Sequence, residues 1–378
     1  MRFRLRRWLI TLSGFAAPVP FSSTRCFSYL PLNLTGFTFK INPMSKSFVT
    51  RASQVTAIIM FLLPVLHRDA VAQNVQIGKL NWNQKNLSVT SFRNGSVIPQ
   101  VQDADDWIVA GLFREPAWCY YKTDDGKLDS SCGKLYNWWA VNDARGLAPK
   151  GYHIATREDW NALAKSIKGK GAGAKLRSAA GWKSGGGTNS SGFSAMAGGN
   201  RMYNNGRFFD LGASAYWWTA TDAGYGKACS VGLMDGSDEL TTDRDDNRTA
   251  GLSVRCVEGE PAVPLKNKMK NFRDSIIGTP ARIGNLEVAH NDFPGSWSLT
   301  VATRACTKLG DGWRLPTKAE MDQIFAARRD IGGFGTEYYW YNDDKVKDSY
   351  GFLDFKDGET GYVDEKGTGR IRAVRNAQ

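Results

Sequence analysis

Two stretches of this chain bring aromatic rings, carboxylates and carboxamides close together. In the first, Tyr216-Trp217-Trp218-Thr219 is followed by Asp222 and Tyr225, then by Asp235, Asp238, Asp243, Asp245 and Asn247. In the second, Tyr338-Tyr339-Trp340-Tyr341 runs into Asn342-Asp343-Asp344 and on to Tyr350. A ring face can stack on C–H groups, while Asp and Asn accept or donate hydrogen bonds to hydroxyls. The chemistry on offer is therefore recognition of a polyhydroxylated or protein surface. Trp138, Trp217, Trp218 and Trp340 are expected to pin the core, since Trp buries a large apolar area. Successive residues of a strand point to opposite faces, however, and the second reading is that one of Trp217 and Trp218 is exposed to a ligand. We take Trp217, Trp218, Asp222, Tyr225, Asp235, Asp238, Asp243, Asp245, Asn247, Tyr341, Asn342, Asp343 and Tyr350 as candidate ligand-binding residues.

No catalytic set accompanies them. The chain has three histidines, His67, His153 and His290, and none belongs to an H-E-x-x-H pattern. There is no C-x-x-C and no G-x-S-x-G. No carboxylate pair has surroundings that would split its two pKa values, so glycoside hydrolysis has no support. We expect no enzyme activity, no catalytic residue and no cofactor. The acids around Asp243-Arg-Asp-Asp-Asn247 are hard oxygen donors of the kind calcium takes. The turn Asp124-Asp125-Gly126 lacks the closing Glu of a calcium loop, and no metal site is assigned.

Six cysteines are present: Cys26, Cys119, Cys132, Cys229, Cys256 and Cys306. Cys119 and Cys132 flank a hairpin, and Cys229 and Cys256 lie on two further strands. Of the three pairings that these four allow, we expect Cys119–Cys132 and Cys229–Cys256, each across a predicted strand pair.

The elements that must hold these residues are announced by a repeated motif. Gly151-Tyr-His153-Ile-Ala-Thr156-Arg-Glu-Asp159-Trp160 is echoed by Gly312-Trp-Arg314-Leu-Pro-Thr317-Lys-Ala-Glu320-Met321. In each, a Gly-aromatic pair leads through a short strand to a Thr, which caps a helix whose third residue is acidic. Behind the caps, Trp160, Leu163, Ala164 and Ile167, and then Met321, Ile324 and Phe325, fall on one helical face. His153 stands where the second copy has Arg314, which favours a structural role for it. Forty Gly and 13 Trp favour a loop-rich, aromatic-pinned fold over a helical bundle.

The net charge of +12 is unevenly spread, because nine of the 49 Lys/Arg but only one of the 37 acids fall in residues 1–72. The remainder is mildly basic, which gives no electrostatic case for a nucleic-acid partner. The apolar run Val55–Leu66 follows Lys46 and Arg51 and precedes Ala70-Val71-Ala72, the three parts of an export signal. It is too short to span a bilayer. Residues 1–72 are expected to be a leader with Met44 as the true start and cleavage after Ala72, leaving a mature chain without a membrane span. We expect units at 73–258 and 276–378, joined by a linker at 259–275 that holds Pro261, Pro264 and three lysines.

Several ordered pieces carry a family resemblance: Trp118-Cys-Tyr-Tyr121, Gly133-Lys-Leu-Tyr-Asn-Trp-Trp-Ala-Val-Asn-Asp143, Gly146-Leu-Ala-Pro-Lys-Gly-Tyr-His153, Ser191-Gly-Phe-Ser-Ala195 and Leu252-Ser-Val-Arg-Cys-Val257. Through them residues 76–258 resemble the Fibrobacter succinogenes major paralogous domain, common in exported proteins of the Bacteroidota. The second unit resembles, over about a hundred residues, the C-terminal domain of Legionella collagen-like proteins and the start of animal C-type lectin domains, through Trp297, Ala305-Cys306, Leu309-Gly310, Gly312-Trp-Arg-Leu-Pro-Thr317 and Glu320. The resemblance implies an α+β fold of two C-type-lectin-like domains, with short amphipathic helices on small antiparallel sheets. In the lectins the cysteine matching Cys306 pairs near the domain end. Here that strand reads Ala373-Val-Arg375, so Cys306 is expected to be a buried free thiol, with an intermolecular pairing as the second alternative. The function expected is that of a secreted or cell-surface binding or adhesion protein for a glycan or protein ligand. The alternative is a structural component of the bacterial envelope without a soluble ligand.

Overall fold

Short apolar runs punctuated by glycine turns build the first half. Its elements are β1 (Asn74–Ile77), β2 (Leu80–Asn83), α1 (Ala104–Leu112), β3 (Trp118–Cys119), β4 (Tyr121–Lys122), β5 (Leu128–Asp129), β6 (Leu135–Tyr136), α2 (Trp138–Val141), β7 (Tyr152–Ile154), α3 (Arg157–Ile167), α4 (Ala172–Leu176), β8 (Gly198–Arg201), β9 (Phe208–Leu211), β10 (Ser214–Gly224), β11 (Lys227–Met234), β12 (Leu240–Asn247), β13 (Ser253–Val254) and β14 (Cys256–Glu258). The second half adds α5 (Phe272–Ile277), β15 (Ala281–Ile283), β16 (Leu286–Val288), α6 (Leu299–Lys308), α7 (Lys318–Ala326), α8 (Arg328–Ile331), β17 (Tyr338–Tyr341), β18 (Tyr350–Asp354), β19 (Thr360–Val363) and β20 (Val374–Asn376). The structure, a computed structural model, describes residues 73–167, 169, 171–261, 272–342, 350–363 and 367–377. The expected leader and much of the expected linker lie outside them. Helices pack beside mostly antiparallel sheets, so the architecture is α+β. No helix among the described residues is long and apolar enough to cross a membrane.

The first half is layered around β10. This strand is central in the sheet ordered β12-β11-β10-β8-β9 and also pairs with β13. Alternation sends Trp218 into a cluster with Tyr136, Trp138 and Val254, and Trp217 into one with Trp82, Trp160 and Phe193. Both indoles are wholly buried. Trp217 Nε1 donates to Asn86 Oδ1 at 2.9 Å, and Trp218 Nε1 to the Tyr136 carbonyl at 2.8 Å. Both pin the core as expected, and the second reading, that one of them faces solvent as a ligand-binding residue, is corrected. A strand covered on both sides buries both members of an aromatic pair, and alternation alone does not reveal that the second face is covered.

The second half repeats the register of the first. Val257 pairs with His153 and Trp82, while Val374 pairs with Arg314 and Val288. Trp217 runs parallel to Ser253 as Tyr339 does to Arg370. The amide of Ala220 donates to the Ala155 carbonyl at 3.1 Å, and that of Asn342 to Pro316 at 2.8 Å. Two residues past each parallel bridge stands a buried arginine, Arg255 or Arg372. Arg255 spends its guanidinium on Asn86 Oδ1 (2.7 Å) and the carbonyls of Asn83, Phe193 and Ser194, under the Phe193 ring. With no carboxylate nearby, burial lowers its pKa to about 9. Arg372 bonds Asp292 at 2.5 Å and the carbonyls of Ala289, His290 and Gly333, against Phe334.

The described residues fall in one contact unit, and the two halves meet through α1 and α6. Ile108, Val109 and Leu112 of α1 share a core with Val301, Ala302, Ala305, Cys306 and Leu309 of the second half. Arg304 reaches Asp103 (2.5 Å) and Asp106 (2.8 Å), and Lys308 reaches Glu115 (2.8 Å).

The expected disulfides are not formed, and all five described cysteines are free thiols. Cys119 lies opposite Leu135 rather than Cys132, and its side chain packs among Trp107, Ala110 and Ala117. Cys132 is in the preceding turn beside Ser131. Cys229 and Cys256 belong to different sheets, paired with Asp245 and Ile154 respectively. Burial pushes the thiols of Cys119 and Cys229 up to about 11 and that of Cys256 to about 12. Cys306 is buried and unpaired, as expected.

Candidate functional site

The cap motif positions everything downstream. Thr156 Oγ1 accepts from the Asp159 amide (3.2 Å), and Asp159 returns the bond to the Thr156 amide (2.8 Å). Thr317 and Glu320 form the same box. In both copies the acid also takes a side chain from six residues earlier. His153 Nε2 meets Asp159 Oδ2 at 3.0 Å, and Arg314 makes a forked pair with Glu320 at 2.7 and 2.8 Å. His153 Nδ1 lies 2.8 Å from the Gly259 carbonyl. Both ring nitrogens thus face acceptors, which only the doubly protonated imidazolium satisfies. Burial pulls its pKa down, but Asp159 and the Gly259 carbonyl outweigh that and the net direction is up. The structural role expected of His153 is what this geometry provides.

With α3 anchored, β10, β11 and β12 extend past its N-terminus. Gly224 pairs with Lys227, leaving the two-residue loop Tyr225-Gly226. Both loop residues are left-handed, with φ of 45° and 76°, the type I′ pattern. Gly or Asn is the usual choice there, because a left-handed L-residue costs roughly 1–2 kcal/mol. A tyrosine occupies the position instead, and its side chain is fully exposed at 105%.

Arg248 clamps this tip. Its amide donates to Gly226 (3.2 Å), its Nε to the Lys227 carbonyl (3.1 Å), and its Nη2 to the Asp222 carboxylate. The guanidinium lies over the rings of Trp138 (4.8 Å) and Trp139 (5.5 Å), which ties the tip to the core. Asp222 also accepts from the Gly224 amide at 2.7 Å. Beside it, Asn247 pairs with Lys227 across the ladder, and Asp245 lies 3.4 Å from Arg157 at the start of α3.

The structure therefore gathers Asp222, Tyr225, Asp245 and Asn247 at one end of the sheet, with the exposed Asp243 further along the edge strand β12. It does not bring in the rest. Asp235 pins the Ser184 amide (2.7 Å) and hydroxyl (2.6 Å), which hold its carboxyl below the usual range. Asp238 accepts from the Gly171 amide at 3.0 Å. Both lie at the opposite end of β11, where they fasten loops. Trp217, Trp218 and Tyr341 are core residues. Asn342 is exposed in the second half, Tyr350 opens β18, and Asp343 lies outside the described residues.

Arg157 and Arg248 belong to the site and were not among the candidates. The alternation of Asp and Arg through 243–248 was visible, but which acid each arginine meets depends on the β11–β12 register. The nearby thiol of Cys229 is buried, and burial pushes its pKa up to about 11. Among the described residues no group of three or more His, Cys, Asp or Glu is placed to hold a metal ion. What the tip presents is an aromatic face with charged hydrogen-bonding groups at its base.

The family model of the Fibrobacter succinogenes major domain matches residues 75–258, a span that contains the whole tip and its supports. No curated protein matches the chain.

Proposed function

We propose that this is an exported, non-enzymatic binding or adhesion protein of the cell surface, built from two C-type-lectin-like halves, that takes a glycan or protein ligand at the Tyr225 tip. The observation that carries the reading is Tyr225 itself. A large aromatic is held fully in solvent, in a backbone conformation that disfavours it, on a hairpin locked by Arg248. Such strain persists where the surroundings enforce it, and it concentrates at sites of function. Tyrosine offers wide contact area at little conformational cost, which suits a recognition anchor. The duplicated register and the shared caps support reading both halves as one fold, and the 55–72 signal supports export.

The test is a screen of the full chain against glycan and extracellular-protein arrays, repeated with Tyr225→Asn. A ligand that the variant loses supports the reading. Ligands bound equally by both proteins refute the tip as the site, and a blank screen favours the envelope-packing alternative. N-terminal sequencing of surface or medium fractions is expected to begin at Gln73, and an uncleaved cytoplasmic chain would end the export proposal.

A further inference from the structure

The other end of β10 carries a groove that none of the candidate residues lines. It runs between the β4–β5 hairpin and the strand β9, encloses about 420 Å3, and is walled by Tyr121, Asp124, Lys183, Phe208, Phe209 and Asp210. The walls are built in advance. Phe208 lies between the Tyr121 ring (5.1 Å) and the guanidinium of buried Arg201 (4.8 Å). Arg201 is locked by the carbonyls of Val101, Gln102, Asp103 and Gly206. Gly199 admits the Tyr121 ring, because a Cβ there would stand 2.9 Å from its Cε2. Asp210 is left-handed at φ 66° and accepts from the Tyr216 hydroxyl at 3.3 Å.

Three features remain unused by the fold. Phe209 is 43% exposed. The Asp124 carboxylate and the Lys183 ammonium make no hydrogen bond or ion pair among the described residues, and they do not reach each other. The volume is in the range of small-molecule sites, roughly 300–1,000 Å3. The charges then select the ligand. A cation would meet Lys183, and an anion would meet both Asp124 and Asp210. An apolar molecule would strip water from Asp124 and Lys183 without replacing it, which is costly. A neutral ring with a C–H face and hydroxyls that both donate and accept satisfies all three.

We propose that this groove binds one pyranose residue of a saccharide, stacked on Phe209, with its hydroxyls shared between Asp124 and Lys183. The site stands apart from the Tyr225 tip. The 11 residues of β10 separate them, roughly 30 Å at the rise of a strand. It does not depend on the tip's ligand.

The experiment is saturation-transfer difference NMR on the full chain with cellotriose, maltotriose and chitotriose as probes, using wild type, Phe209→Ala, Asp124→Ala and Tyr225→Asn. Phe209 and Asp124 are exposed, so neither substitution is expected to unfold the protein; near- and far-UV circular dichroism checks this. The expected result is transfer to at least one probe, about tenfold weaker binding on losing either groove side chain (about 1.4 kcal/mol each), and no change in Tyr225→Asn. Transfer to none of the three, or transfer undiminished in folded Phe209→Ala, overturns the proposal. So does a signal lost only in Tyr225→Asn.

Discussion

Tyr225→Asn is expected to stabilise the protein while abolishing ligand capture at the tip. The side chain is wholly in solvent, so its removal forfeits no buried area. The clamp survives as well, since Arg248 bonds the backbone of Gly226 and Lys227 and the carboxylate of Asp222, none of which the substitution touches. What changes is the backbone term. Tyrosine at φ 45° bears a left-handed penalty of roughly 1–2 kcal/mol, and asparagine tolerates that region several-fold better. A gain of about 1 kcal/mol follows, equivalent to roughly 2–4 °C in Tm for a domain of this size. Tyr225→Ala separates the two effects, because alanine keeps the strain and loses the ring, so its stability should match wild type while binding is lost. The assay is urea unfolding followed by tryptophan fluorescence, with binding measured on the same preparations. If Tyr225→Asn is less stable than wild type, the strain argument fails. If it still binds, the recognition argument fails.

The imidazolium of His153 makes stability pH-dependent. Its pKa is raised in the folded state, so its contribution is complete below the unfolded value of about 6.5 and is lost as pH rises through the folded value. His153→Arg, which copies Arg314, should flatten the stability curve on the alkaline side, and an unchanged slope there would refute this assignment. Arg372→Met strands Asp292 without its buried partner and should cost about 3–5 kcal/mol, part of which Asp292→Asn recovers; equal stability of the single and double variants in chemical denaturation would contradict it. Thiol titration without reductant should find the cysteines of the described residues unreactive in the native protein, apart from the half-buried Cys132. All five should react after denaturation, whereas a shortfall of two or four would reveal disulfides.

Local signals in the sequence determined a good deal. The Thr156/Asp159 and Thr317/Glu320 boxes, the apolar faces behind them, the aromatic strands and the matching closing strands all depend on neighbours within a few residues, and they are found where periodicity and capping chemistry put them. The equivalence of His153 and Arg314 was likewise visible, because one repeat displays the other's substitution. Tertiary structure decided what depends on partners far along the chain. Alternation said that Trp217 and Trp218 diverge, but only the layers above and below β10 made both of them core. Cysteine spacing suggested pairs, but strand register and sheet membership separated them. Composition marked six acids and amides of the first half as equivalent candidates. The ladders that join β10, β11 and β12 gathered Asp222, Asp245 and Asn247 around Tyr225, while Asp235 and Asp238 fasten loops at the other end. The Arg248 clamp spans the tip through one side chain and two carbonyls, and a contact of that kind leaves no pattern in a linear sequence.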